Sequence, residues 1–116
     1  LVLYKAVADA GRVRAADLAK RLGLSERYVR EWLSGQAAGG YVEYDAAADC
    51  FYMSDEQAFA LTTPGSPIDV AGGFLVAEAM MKSRQKLASA FRTGNGVGWH
   101  EHDGGLFEGT ERTFRP

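Results

Sequence analysis

The chain has 116 residues, 47% of them hydrophobic and 24% charged, the balance of an ordinary globular chain long enough for one domain or a small domain with an appendage. A net charge of −2 excludes a polycation as a whole, and the single cysteine, Cys50, excludes an internal disulfide and fits a reducing, cytoplasmic compartment.

The first stretch, residues 1–10, reads as an amphipathic helix with Leu3, Ala6, Val7 and Ala10 on one side, and Gly11 ends it. With Lys5 and Asp9 inside it, this start is not a signal peptide. Residues 12–14 can add a short strand beside a later hairpin. A second helix follows, carrying Leu18 and Leu22 one turn apart with Ala15 and Ala19 alongside, and stops at Gly23, where a left-handed residue is wanted. Ser25 caps a third helix, and Glu26 lies where the helix dipole favours negative charge. Leu24 and Val29 form a hydrophobic staple. Val29, Trp32 and Leu33 make the buried stripe, while Arg27, Arg30, Glu31 and Ser34 take the opposite face. Gly39 and Gly40 end this helix. Residues 41–44 alternate as a strand, DAAAD (45–49) turns the chain, and residues 50–53 return. Helix, tight turn, helix and hairpin together specify a mainly α fold: a winged helix-turn-helix with a small β-hairpin wing, over residues 1–63.

Beyond it, Ser54-Asp-Glu-Gln57 is a capping box that starts a short helix running to about Leu61. TTPGSP, residues 62–67, is a linker by composition. Ser66 caps the next helix with Pro67 at its first position. From Ile68 to Arg92 the pattern is helical. Val76, Met80, Leu87 and Phe91 form one stripe, and Phe74, Met81 and Ala88 another, so this helix is expected to be covered on more than one side, with Gly72-Gly73 a candidate break. The run 70–81 is interrupted by Gly72, Gly73 and Glu78 and is too short to span a bilayer, so no membrane partner is expected. The glycine-rich tail from Thr93 to Phe114 reads as loop. Residues 64–116 are thus a C-terminal helical extension and Gly-rich loop. The start at Leu1 and the stop at Pro116 suggest a piece of a longer protein.

Four features bear on chemistry. The exposed face of the third helix would enter a major groove in a DNA reader, with Arg27, Arg30 and Ser34 on bases and Arg12, Arg14, Lys20 and Arg21 on phosphates. Residues 12–30 hold six basic residues against two acidic ones, but residues 31–53 hold four acidic residues and no Lys or Arg. A wing of that sign repels phosphate, which favours a scaffold or dimer module over a DNA reader. Gly94-Asn-Gly-Val-Gly98 resembles a phosphate loop, but it follows a helix rather than a strand and reads as a helix cap and connector. His100 and His102, one apart on an extended segment, would point the same way, yet no third histidine is present to complete a metal site; beside Trp99 and Phe107 they read as lining a pocket or interface. Cys50, without a basic neighbour, reads as a half-buried small residue.

The segments LYKAVADAG (3–11), AADLAKRLGLSERYVREWL (15–33), GGYVEYD (39–45) and FRTGNGVGWHEHDGGLFEGTERTFRP (91–116) together resemble the N-terminal part of class I S-adenosylmethionine-dependent methyltransferases that carry a winged-helix domain before the catalytic one, a family often labelled transcriptional regulators. The resemblance implies that the winged helix pairs two subunits as a homodimer. It implies that the extension approaches its own catalytic domain and helps to roof a small-molecule pocket, with Trp99, His100 and His102 facing the substrate. No acidic residue-x-Gly-x-Gly-x-Gly motif follows a strand here, so S-adenosylmethionine and the catalytic residues are expected beyond Pro116, and this chain alone should hold neither cofactor nor metal. The alternative is a DNA-binding winged-helix transcriptional regulator.

Overall fold

A computed structural model describes residues 2–115. The chain divides between Thr63 and Pro64 into two compact units.

The first unit contains α1 (Leu3–Ala10), α2 (Ala15–Leu22), α3 (Glu26–Ala38), β1 (Glu43–Asp45), β2 (Cys50–Tyr52) and α4 (Asp55–Thr62). Gly23 closes α2 in the left-handed conformation, φ 65° and ψ 33°, which lets the chain reverse within the three residues before α3. β1 and β2 pair antiparallel, Tyr44 opposite Phe51, and Val13 adds a bridge to Phe51 through N–H···O bonds of 2.9 and 2.8 Å. Residues 12–14 therefore do lie as an extended piece beside the wing. This bridge ties the entry of α2 to the hairpin and brings the helices and the wing onto one core.

That core is Val7, Val13, Ala15, Leu18, Ala19, Val29, Leu33, Val42 and Phe51. Leu18 and Leu33 are at 1% and 0% exposure, and full burial of a side chain of this size contributes about 1.5–3 kcal/mol. Trp32, expected in the buried stripe, is only half-buried and packs against the edge of the core. Its ring meets that of Tyr4 at 5.1 Å between centroids, tilted by 59°, and also lines an apolar cleft. The expected Ser54 capping box is present: Ser54 Oγ accepts from the Gln57 amide (3.2 Å) and Gln57 Oε1 accepts from the Ser54 amide (2.8 Å). Ser25 stands at the N-cap of α3, but its hydroxyl accepts no helix amide.

The second unit departs from its expected form. Its elements are α5 (Ala71–Lys82), α6 (Arg84–Thr93), a 3-10 turn (Trp99–Glu101) and α7 (Gly104–Phe114). The long helix breaks at Ser83, not at Gly72-Gly73, which lie within α5. It also starts at Ala71 rather than at Ser66-Pro67. Residues 66–69 form a turn, with the Asp69 amide donating to the Ser66 carbonyl (3.2 Å), and this aims Asp69 at α7. There the Asp69 carboxylate, 3% exposed, accepts from Arg112 Nε (3.2 Å) and Nη2 (3.0 and 3.1 Å). A buried carboxylate needs such a partner, and the turn before α5 is what presents Asp69 to it.

The tail expected as loop contains a helix of 11 residues. Its glycines are contact points. Gly109 and Gly72 are buried where α7 meets α5. A Cβ at Gly109 would lie 2.7 Å from the Gly72 carbonyl oxygen and 2.8 Å from the Val76 nitrogen, so only glycine permits the approach. Asp103 starts α7 by accepting from the Gly105 amide (3.0 Å). Because the break at Ser83 ends the periodicity, the two long stripes are not covered within this unit: Phe74, Met80, Met81, Leu87 and Phe91 are exposed. Among the described residues no helix is long and apolar enough to cross a membrane.

Candidate functional site

Two groups of residues were candidates, one in each unit. In the first, α3 presents Arg27 and Ser34 to solvent, and Arg12, Arg14, Lys20 and Arg21 are likewise exposed. Tyr28, 76% exposed, stands on the same helix. The wing bends back onto part of this set. Arg12 is paired with Asp45 and lies over the Tyr52 ring, 4.6 Å from its centroid. Arg30 is half-buried, 3.5 Å from Asp49 and 3.5 Å from Glu26. Both wing carboxylates are held in place. Asp45 Oδ1 accepts from the amides of Ala47 (3.0 Å) and Ala48 (3.2 Å), an Asx turn that builds the hairpin tip. Asp49 has φ 50°, a left-handed conformation that aspartate tolerates, and accepts from the Tyr44 hydroxyl (3.0 Å). That hydrogen bond, more than any burial, holds the Tyr44 phenol above its ordinary pKa. Among the described residues Arg14, Lys20, Arg21 and Arg27 make no ion pair.

The same unit has a feature the sequence did not announce. Leu3, Leu24, Ser25, Tyr28, Val29 and Trp32 line an open, mostly apolar cleft of about 270 Å³ between α1 and the start of α3. The clue was present in Tyr28, an aromatic on the outward side of an otherwise charged helix face.

In the second unit, Trp99 and His102 lie side by side, and His100 stands between them in sequence on a 3-10 turn. This turn replaces the expected extended segment, which removes the alternation on which a common direction of the two imidazoles was expected. Trp99 is 62% exposed, its ring edge-on to Phe107 (5.2 Å) and 5.9 Å from His102. His102 Nδ1 lies 3.2 Å from the hydroxyl of Ser83, which is buried and also donates to the Ala79 carbonyl (3.2 Å). This contact fastens the loop to the break between α5 and α6. His100 is exposed. Lys86 Nζ donates to the Glu101 carbonyl, closing the loop from the other side around a shallow groove of about 230 Å³. Among the described residues no three of His, Cys, Asp or Glu are grouped to hold a metal ion. Gly94 is the left-handed cap of α6, its amide donating to Ala90 (2.9 Å), so the glycine-rich stretch begins as a helix stop. Cys50 is half-buried, its thiol 3.3 Å from the Ala48 carbonyl.

The sequence profile of the Rv2258c-like winged HTH domain matches residues 2–63. A search of curated proteins finds no match.

Proposed function

The chain belongs to the Rv2258c-like winged HTH family, and from that premise we propose that its winged helix is a protein-pairing scaffold of a longer S-adenosylmethionine-dependent methyltransferase, with residues 64–116 as a lid over a small-molecule substrate. One observation carries the first half: the wing places Asp45 on Arg12 and Asp49 on Arg30, spending on internal pairs two cations that phosphate contact would need. The exposed Tyr28 and the cleft beside it add apolar surface suited to a protein contact, and Met80, Met81 and Phe91 do the same in the second unit.

The lid reading rests on the resemblance of the tail and on the presentation of Trp99 and His100. Trp99 offers a flat apolar wall braced by Phe107, and His100 a nearby donor or acceptor, a combination suited to a small, partly apolar acceptor. His102, engaged with Ser83, positions the loop. The stretch 94–98 does not fit the cofactor, because it follows a helix and opens onto a 3-10 turn. S-adenosylmethionine, which supplies the methyl group, is assigned to a catalytic domain outside this chain.

The second reading, a DNA-binding regulator, is favoured by Arg14, Lys20, Arg21 and Arg27, which make no ion pair among the described residues. Light scattering separates assembly from its absence: the scaffold reading expects a homodimer, weakened by Tyr28→Glu without loss of fold. A monomer at high micromolar concentration contradicts it. In the longer enzyme, Trp99→Ala and His100→Ala should reduce turnover or acceptor binding and leave cofactor affinity near the parent value; unchanged turnover removes the lid.

A further inference from the structure

We propose that the wing is an internal mask: Asp45 and Asp49 occupy Arg12 and Arg30 in place of phosphate, and neutralising them uncovers a surface that binds duplex DNA. The inference rests on the reading that the native domain is not a DNA reader despite its local excess of positive charge over residues 12–30.

Arg12 Nη2 donates to Asp45 Oδ2, and Arg30 Nη1 faces Asp49 Oδ1 across 3.5 Å as an ion pair. An arginine recognises carboxylate and phosphate with the same planar fork, so a carboxylate fixed at the right place competes directly with a phosphate. Both carboxylates are fixed by the wing itself: Asp45 by the amides of Ala47 and Ala48, Asp49 by the Tyr44 hydroxyl and its left-handed backbone. Each thus meets its arginine with little conformational freedom left to lose, unlike two mobile surface side chains. Arg12 is further restrained over the Tyr52 ring. The masked residues belong to the strand-like entry to α2 and to α3, the element that would enter a groove. A wing that contacted phosphate would need positive charge, whereas this one adds two negative charges beside these arginines.

The pairs are reached by solvent, the Arg30 and Asp49 side chains being 43% and 46% exposed, so each masks modestly. An exposed pair shifts an equilibrium by about two- to fivefold, and removing both is expected to tighten duplex binding about tenfold. Glu26 stays beside Arg30, so Arg12 carries the larger share. Each arginine that gains a phosphate steepens the fall of log affinity with log salt by about 0.9, giving a total change of about one to two.

The test uses the whole chain and fluorescence anisotropy of a short labelled DNA duplex, from low to physiological salt. Asp45→Asn/Asp49→Asn should bind about tenfold more tightly than the parent, with the steeper salt dependence, and adding Arg12→Ala/Arg30→Ala should abolish the gain. Asparagine keeps the Asx acceptor and tolerates φ > 0, so the hairpin should fold; Asp49→Asn alone, which leaves the turn at Asp45 untouched, should still tighten binding about twofold. Asp55→Asn/Glu56→Gln changes net charge equally and should give a smaller gain. The mask is overturned if the double variant binds like the parent, or if the charge control gains as much. Tight binding by the unaltered parent would instead overturn the scaffold reading.

Discussion

Gly109→Ala tests the closest approach in the second unit. A Cβ there would lie 2.7 Å from the Gly72 oxygen, 2.8 Å from the Val76 nitrogen and 2.9 Å from Leu75 Cβ. Two of these are backbone atoms of α5, which cannot rotate aside, so the helices must part by several tenths of an ångström or more. Overpacking of this kind costs about 1–3 kcal/mol, and backbone obstruction places it at the upper end. Alanine recovers about 1 kcal/mol of helix propensity, leaving a net loss of about 1–2 kcal/mol. Gly73, one position from the contact, is the comparison: a Cβ there meets nothing within 4 Å, so Gly73→Ala should gain the propensity alone, about 1 kcal/mol. The two variants should thus differ by about 2–3 kcal/mol and in sign. Urea unfolding followed by fluorescence reports on this unit, because Trp99 packs on Phe107 of α7 and the other tryptophan, Trp32, can be replaced by Phe. If Gly109→Ala proves as stabilising as Gly73→Ala, α5 and α7 do not meet at this distance.

Leu33→Ala, at 0% exposure, should cost about 2–5 kcal/mol, whereas half-buried Trp32→Ala should fall below the ~3–5 kcal/mol of a fully buried large aromatic; thermal melts of both decide the order. Ser54→Ala removes a formed capping box and should cost about 1 kcal/mol, while Ser25→Ala, whose hydroxyl caps nothing, should cost less than half of that by urea titration. Arg112→Ala leaves the Asp69 carboxylate buried without its partner and should destabilise the second unit by about 3 kcal/mol, read by the same Trp99 signal; parent-like stability would mean that water reaches Asp69.

The first unit was legible because its signals are local. Leu18, Leu22, Val29 and Leu33 repeat at helical spacing, Gly23 marks a reversal, and Ser54 with Gln57 forms a cap inside four residues. Trp32 was misread because helical phase gives a direction but not what covers it: Tyr4 packs on its ring, and Leu3, Leu24 and Tyr28 leave an open cleft beside it. The second unit depends on contacts between residues far apart in sequence. Gly105 and Gly109, counted as breakers, are the smooth face of a helix once α5 is beside it, and their four-residue spacing was the available clue. The start at Ala71 follows a turn whose Asp69 meets Arg112, a pair separated by 43 positions, and the break falls at Ser83, which contacts His102 from 19 positions away. At the candidate sites the charges were legible and their pairing was not. Composition showed an acidic wing after a basic stretch, but only the hairpin register places Asp45 and Asp49 on Arg12 and Arg30.

The central claim is that this winged helix pairs proteins and does not read DNA. Sedimentation velocity of the unaltered chain mixed with a labelled DNA duplex, in physiological salt, addresses both halves at once. The account predicts that the protein sediments as a dimer while the duplex sediments free at nanomolar protein. A duplex that co-sediments with the protein at that concentration, and is released by Arg27→Ala or Arg30→Ala, would contradict it.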